Sequence, residues 1–136
     1  MALTKVTADV LGDNSIGHTQ LHNRYKNAAS ITSTSGIINI DWSAAAVYKM
    51  EASLTGATTL NFTGFVKGQV LTIHQLEGAQ TVTLTSDATT SSTFYKIGAD
   101  YDGSSDPNIL QVECLDDSAN ALFAFTTATI ATSTTI

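Results

Sequence analysis

The acidic segment near residue 100 has the spacing of a calcium-binding loop. Four side chains with oxygen atoms alternate along it around Gly103: Asp100, Asp102, Ser104 and Asp106. Oxygen ligands at alternate positions are what a calcium loop provides. Residue 111, where the downstream acidic ligand would fall, is Gln, and Pro107 intervenes. These departures favour a plain acidic surface turn, with a calcium site as the alternative.

The histidines have less support as metal ligands than the acidic segment near residue 100. His18 and His22 are four residues apart, which on a helix would place both imidazoles on one face. No acidic general base is adjacent to them, so we interpret them as polar residues of an extended segment. His74 lies in a predicted strand, where a lone histidine is usually structural or solvated. The sequence therefore predicts neither a bound metal nor a cofactor.

The candidate nucleophiles and acid–base groups do not form a catalytic pattern. Cys114 alternates with Leu110 and Val112, which predicts a small buried hydrophobic residue. The sequence has no Gly-x-Ser-x-Gly turn and no glycine-rich phosphate loop. Asp116 and Asp117 are neighbours, which would point to opposite faces of a strand, so a turn explains them better than catalysis. We expect that the protein is not an enzyme.

The aromatic side chains could stack on sugars, as they do in glycan-binding modules. Most of them fall at core-facing positions of predicted strands, so we expect core packing instead. Tyr95 and Tyr101 are less constrained because they flank a predicted loop. An exposed coplanar aromatic pair on one sheet face would favour glycan binding.

Composition and charge narrow the class of protein further. Of the 136 residues, 43% are hydrophobic and 13% are charged, which indicates one folded core and a surface covered largely by hydroxyls and amides. Six basic residues against twelve acidic ones give a formal net charge of −6. This balance argues against a nucleic acid or an anionic membrane as partner. A single cysteine excludes an internal disulfide.

From Gly36 onward, short runs with a period of two alternate with Gly, Asp, Asn and Ser. We predict eight strands, at residues 36–42, 46–54, 58–65, 69–77, 81–86, 93–97, 108–115 and 121–127. The turn spacing suits an all-β fold, either an antiparallel β-sandwich or a jelly-roll-like barrel. The predicted core positions are Ile40, Tyr48, Leu60, Phe62, Ile73, Leu84, Val112 and Phe123.

Residues 1–30 lack a sustained period, and we interpret them as an extended N-terminal arm before a β-sandwich domain at residues 31–136. A short helix near residues 19–27 is compatible with the sequence. The arm holds half of the basic residues and only two acids, which suits an acidic partner surface. We expect it to bind that partner through Leu3, Val6, Val10, Leu11, Ile16, Leu21, Arg24 and Tyr25. The Thr-rich residues 126–136 could form an edge strand that pairs with another copy.

Several segments resemble a β-rich module of tailed-bacteriophage structural proteins. The first are Gly36-Ile-Ile-Asn-Ile-Asp-Trp-Ser and Leu54-Thr-Gly-Ala-Thr-Thr-Leu-Asn-Phe. Residues 68–73, 81–84, 109–114 and 122–125 follow in the order of the module's remaining strands. Leu3-Thr-Lys-Val and Asn14-Ser-Ile-Gly resemble the leader of phage fibre and head-surface proteins. The loop at residues 87–93 departs from the module, because it is rich in Ser and Thr where the module carries Trp-Pro and a second Trp.

The resemblance implies a virion structural protein without catalytic activity, assembled in the host cytoplasm. One small domain with an arm fits a capsid decoration (cement) protein, which binds and stabilises the head shell. A tail-fibre or baseplate attachment protein is the alternative within the family, and a glycan-binding β-module is the rival from a different class. The expected partners are the major capsid protein or another virion protein, together with further copies of the chain in a homotrimer.

Overall fold

The computed structural model describes residues 23–104 and 107–130. Within these residues the chain forms one helix, α1 (Asn23–Lys26), and nine strands. The strands are β1 (Ala28–Ile31), β2 (Gly36–Asp41), β3 (Val47–Met50), β4 (Thr58–Thr63), β5 (Val70–Leu76), β6 (Val82–Ser86), β7 (Ser91–Ile97), β8 (Asn108–Asp116) and β9 (Asn120–Thr129). Each of the eight predicted strands overlaps one of these, and β1 is additional. No helix in the described ranges has the length and apolar character needed to cross a bilayer.

The strands are arranged in two sheets. The large sheet has the order β1-β3-β5-β8-β9-β7, and the small sheet has the order β2-β4-β6. Buried side chains from both sheets belong to one hydrophobic cluster. The predicted all-β class is therefore confirmed, with a core that is shared between two sheets.

The strand directions differ from the predicted antiparallel arrangement. Among the described strands, five of the seven pairings are parallel, and only β5–β8 and β8–β9 are antiparallel. From β1 to β6 the chain alternates between the sheets, so each strand pairs with the one two positions later. Between two paired residues the chain passes once through the other sheet and returns. This passage takes 19 residues from Ala28 to Val47 and 25 residues from Val47 to Thr72. The first six strands thus wind as a short solenoid.

Local sequence patterns do not distinguish this winding from a series of hairpins. Parallel strands need a crossover of about a dozen residues or more. Here each crossover contains a strand of the opposite sheet, which has the same period of two and similar turn residues. The alternation therefore predicts where the strands lie and which face is buried, but it does not specify the pairing partner.

The predicted core positions are buried, with one exception. Those without exposed surface are Ile40, Leu60, Phe62, Ile73, Val112 and Phe123. Tyr48 is 6% exposed, and its hydroxyl donates a 2.7 Å hydrogen bond to the carbonyl oxygen of Asp41. Leu84 is half-buried at the border of the cluster. The period of two thus predicted the inward face of nearly every strand.

The C-terminal part of the described chain is not the edge strand that we expected. Strand β9 continues to Thr129 and lies between β8 and β7, so both of its sides are paired. Its pairing with β8 is antiparallel and its pairing with β7 is parallel. Position 130 follows the strand, and residues 131–136 lie outside the described residues.

Gly78 lies where two chain segments approach each other closely. Its φ is +111°, and a Cβ atom there would lie 2.5 Å from the carbonyl oxygen of Leu54. Gly68 has a similar φ of +80°, but a Cβ atom would have no neighbour within 4 Å. We expect Gly78→Ala to lower the free energy of unfolding by about 2 kcal/mol, against about 1 kcal/mol for Gly68→Ala, in urea denaturation. Equal losses would show that backbone conformation alone requires glycine at position 78.

Candidate functional site

The N-terminal residues predicted to bind a partner fall into two groups. Six of them lie outside the described residues: Leu3, Val6, Val10, Leu11, Ile16 and Leu21. Arg24 and Tyr25 lie in α1, at the beginning of the described chain. Tyr25 is 65% exposed, so its side chain is accessible on the surface. Its role in binding stays a prediction.

Arg24 does not lie on the surface, which corrects its predicted role. Its side chain is 3% exposed. Nη1 donates a 2.5 Å hydrogen bond to the carbonyl oxygen of Trp42, and Nη2 donates to the carbonyl oxygen of Val70. The guanidinium carbon also lies 5.5 Å from the centre of the Trp42 ring. Arg24 therefore fastens α1 to the segment after β2 and to the beginning of β5.

Helix α1 and strand β1 belong to the folded domain. The backbone N–H of Ala46 donates a 3.0 Å hydrogen bond to the carbonyl oxygen of Arg24. Strand β1 pairs with β3 in parallel from Ala28 to Ile31, and Ile31 is buried in the core. The predicted boundary between residues 30 and 31 thus falls inside a paired strand. The described part of the domain begins at residue 23.

The outward face of the large sheet, which we call the large-sheet face, carries most of the large hydrophobic side chains that are exposed in the described chain. Five of the eight large hydrophobic side chains that are exposed in the described chain project from it: Val47, Val70, Tyr95, Ile97 and Leu115. Between them in the cross-strand rows lie Thr72, Gln111, Glu113, Ala124 and Thr126. Several large apolar side chains exposed on one face favour an association site.

The outward face of the small sheet is polar by comparison. Its positions on β4 and β6 include Thr59, Asn61 and Thr83. The Nδ2 atom of Asn61 donates a 2.9 Å hydrogen bond to Oδ1 of Asn39 on the neighbouring strand. Ile37, which is 75% exposed, is the one large apolar side chain on this face within the described residues. The apolar character of the large-sheet face is therefore specific to that sheet.

Two depressions lie on the large-sheet face. One, of about 510 Å³, is lined by Ala28, Val47, Lys49, His74, Gln75, Pro107 and Ile130. The other, of about 210 Å³, is lined by Val70, Ile97, Gln111, Glu113, Ala124, Phe125 and Thr126. We call the first the β3-side depression. It is flanked by an irregularity in β5, where Gln75 adopts a φ of +57°.

The opposite edge of the large-sheet face exposes two large apolar side chains. Strand β7 forms this edge of the sheet, and it pairs only with β9 among the described strands. Its outward residues Tyr95 and Ile97 are 53% and 60% exposed. We call these two side chains the β7 ridge. The sheet therefore has an apolar ridge at one edge and an apolar depression towards the other.

The acidic loop near residue 100 is organised by hydrogen bonds within the chain. The backbone N–H of Ser104 donates a 3.0 Å hydrogen bond to Oδ1 of Asp102, and the Ser104 hydroxyl donates to the same oxygen. These bonds lower the pKa of the Asp102 carboxyl, with the hydroxyl contributing most. Asp100 forms an ion pair with Lys96. Asp106 lies outside the described residues, and within them no three His, Cys, Asp or Glu side chains are grouped to hold a metal.

Cys114 is a buried core residue, as predicted. It has no exposed surface and is not part of a disulfide. Burial raises the pKa of its thiol from 9.0 to about 11, and the charge of Asp117 adds to this effect. The thiolate needed for nucleophilic chemistry is therefore disfavoured near neutral pH.

The aromatic side chains are mostly core residues. The ring–ring contacts of the described chain involve Trp42, Phe62, Phe65, Phe94 and Phe123. The stacked pair, Phe94 and Phe123, has ring centres 4.8 Å apart beneath the large sheet. The Tyr101 hydroxyl donates a 2.7 Å hydrogen bond to the carbonyl oxygen of Gly78, while Tyr95 is exposed on the β7 ridge.

Sequence reasoning missed the large-sheet face, although the sequence carries a signal for it. Adjacent residues of a strand point to opposite faces, so two neighbouring large apolar residues place one on each face. Val70-Leu71, Phe94-Tyr95 and Cys114-Leu115 are such pairs. The period of two predicts Leu71 and Cys114 in the core, which leaves Val70 and Leu115 on the opposite face, and Tyr95 is one of the less constrained aromatic residues.

Comparisons of the chain with family models, with curated proteins and with solved structures find no match. Among the described residues, the large-sheet face and the β7 ridge are the features that bear on function.

Proposed function

We propose that the protein is a bacteriophage virion structural protein, and specifically a capsid decoration protein that binds and stabilises the head shell. The observation that most supports this proposal is the apolar large-sheet face, with Val47, Val70, Tyr95, Ile97 and Leu115 exposed together. Such a face suits stable contacts with other proteins. The resemblance of the strand segments to phage structural modules supplies the virion context.

The proposed partners are the major capsid protein or another virion protein, and further copies of this chain in a homotrimer. The described anchoring of α1 supports a role for the preceding residues as an attachment arm. Because Arg24 binds the carbonyl oxygens of Trp42 and Val70, an arm preceding residue 23 would leave the domain from a fixed point. A fixed starting point reduces the conformational freedom that an arm must lose on binding.

The negative net charge of the chain also favours a protein partner. The formal net charge of −6 disfavours association with a nucleic-acid backbone or an anionic membrane. The centre of the large-sheet face has one charged side chain, Glu113, among Gln111, Ala124 and Thr126. A protein partner would have to supply a group that pairs with this carboxylate, whereas the apolar and hydroxyl-bearing side chains around it can be buried without one.

The decisive experiment is binding to heads of the phage that carries the gene, prepared from a deletion mutant lacking this chain. We expect the purified full chain to co-sediment with these heads and to label their surface when it is tagged with gold for electron microscopy. A chain beginning at residue 23 retains α1 and all the described strands, and we expect it to fold but not to bind. Tyr25→Ala in the full chain should weaken binding.

Labelling of tails or baseplates instead of heads would favour the attachment-protein alternative. Absence of labelling on any part of the particle would contradict a virion role. If the chain beginning at residue 23 bound heads as tightly as the full chain, the attachment site would lie in the β-domain. Far-ultraviolet circular dichroism of each variant provides the control for folding.

A further inference from the structure

We draw no further inference here: the strongest candidate, the outward face of the large sheet with the depression lined by Ala28, Val47, Pro107 and Ile130, carries none because nothing in the structure shows what covers it.

Discussion

Replacement of Phe62 by Ala is expected to lower the free energy of unfolding by about 3–5 kcal/mol. Phe62 has no exposed surface and lies on β4, the central strand of the small sheet. Its ring centre is 5.6 Å from that of Trp42, 6.0 Å from that of Phe94 and 6.1 Å from that of Phe123. Removing the ring would leave a cavity between the two sheets, which neighbouring side chains from both sheets can fill only in part.

Urea denaturation, followed by the fluorescence of the single tryptophan, measures this effect. Ile37→Ala is the matched control, because Ile37 lies on β2 of the same sheet but is 75% exposed. The control should change the free energy of unfolding by less than about 0.5 kcal/mol. Similar losses in the two variants would mean that the small sheet does not pack on the large sheet through Phe62.

The burial pattern of the strands was predictable from the sequence because it depends on local alternation. Leu60 and Phe62 on β4 are separated by one polar residue, and both face the core. The same applies to Val112 and Cys114 on β8. In each strand, neighbouring side chains point to opposite faces whatever strand lies beside it, so the inward face does not depend on topology.

The pairing of the strands was not predictable in the same way. Ile40 pairs with Phe62 across a parallel ladder, yet the chain between them contains β3 of the other sheet. An antiparallel hairpin would have produced a similar alternation with similar turn residues. The information that decides between the two lies in contacts between segments about 20 residues apart, and a single sequence read locally does not contain it.

The residues of the candidate site also come together through long-range contacts that local sequence patterns do not specify. Val47, Tyr95 and Ile97 are separated widely in the sequence, and they form one surface only because β3 and β7 belong to one sheet. The local excess of basic residues in the sequence predicts an exposed role for Arg24. Its hydrogen-bond acceptors, Trp42 and Val70, are 18 and 46 residues away. Long-range geometry therefore changed the role of Arg24 from a partner contact to an internal anchor.

Replacement of Arg24 by Met is expected to lower the free energy of unfolding by about 3 kcal/mol. The methionine side chain can still pack over Trp42, but it cannot donate hydrogen bonds to the carbonyl oxygens of Trp42 and Val70. Arg24 is 3% exposed, so water would not easily replace these bonds. Arg24→Lys keeps the charge, but a single ammonium lacks the planar fork that reaches two acceptors, and an intermediate loss is expected.

The same urea denaturation measures the Arg24 variants, with Lys67→Met as the control. Lys67 is exposed, so its loss should change the free energy of unfolding by less than about 0.5 kcal/mol. The tryptophan emission of native Arg24→Met should also shift, because the guanidinium carbon lies 5.5 Å from the indole ring centre. If Arg24→Met were as stable as the unmodified chain and had the same emission, α1 would not be anchored through Arg24. The arm preceding it would then lack the fixed starting point on which its proposed attachment role depends.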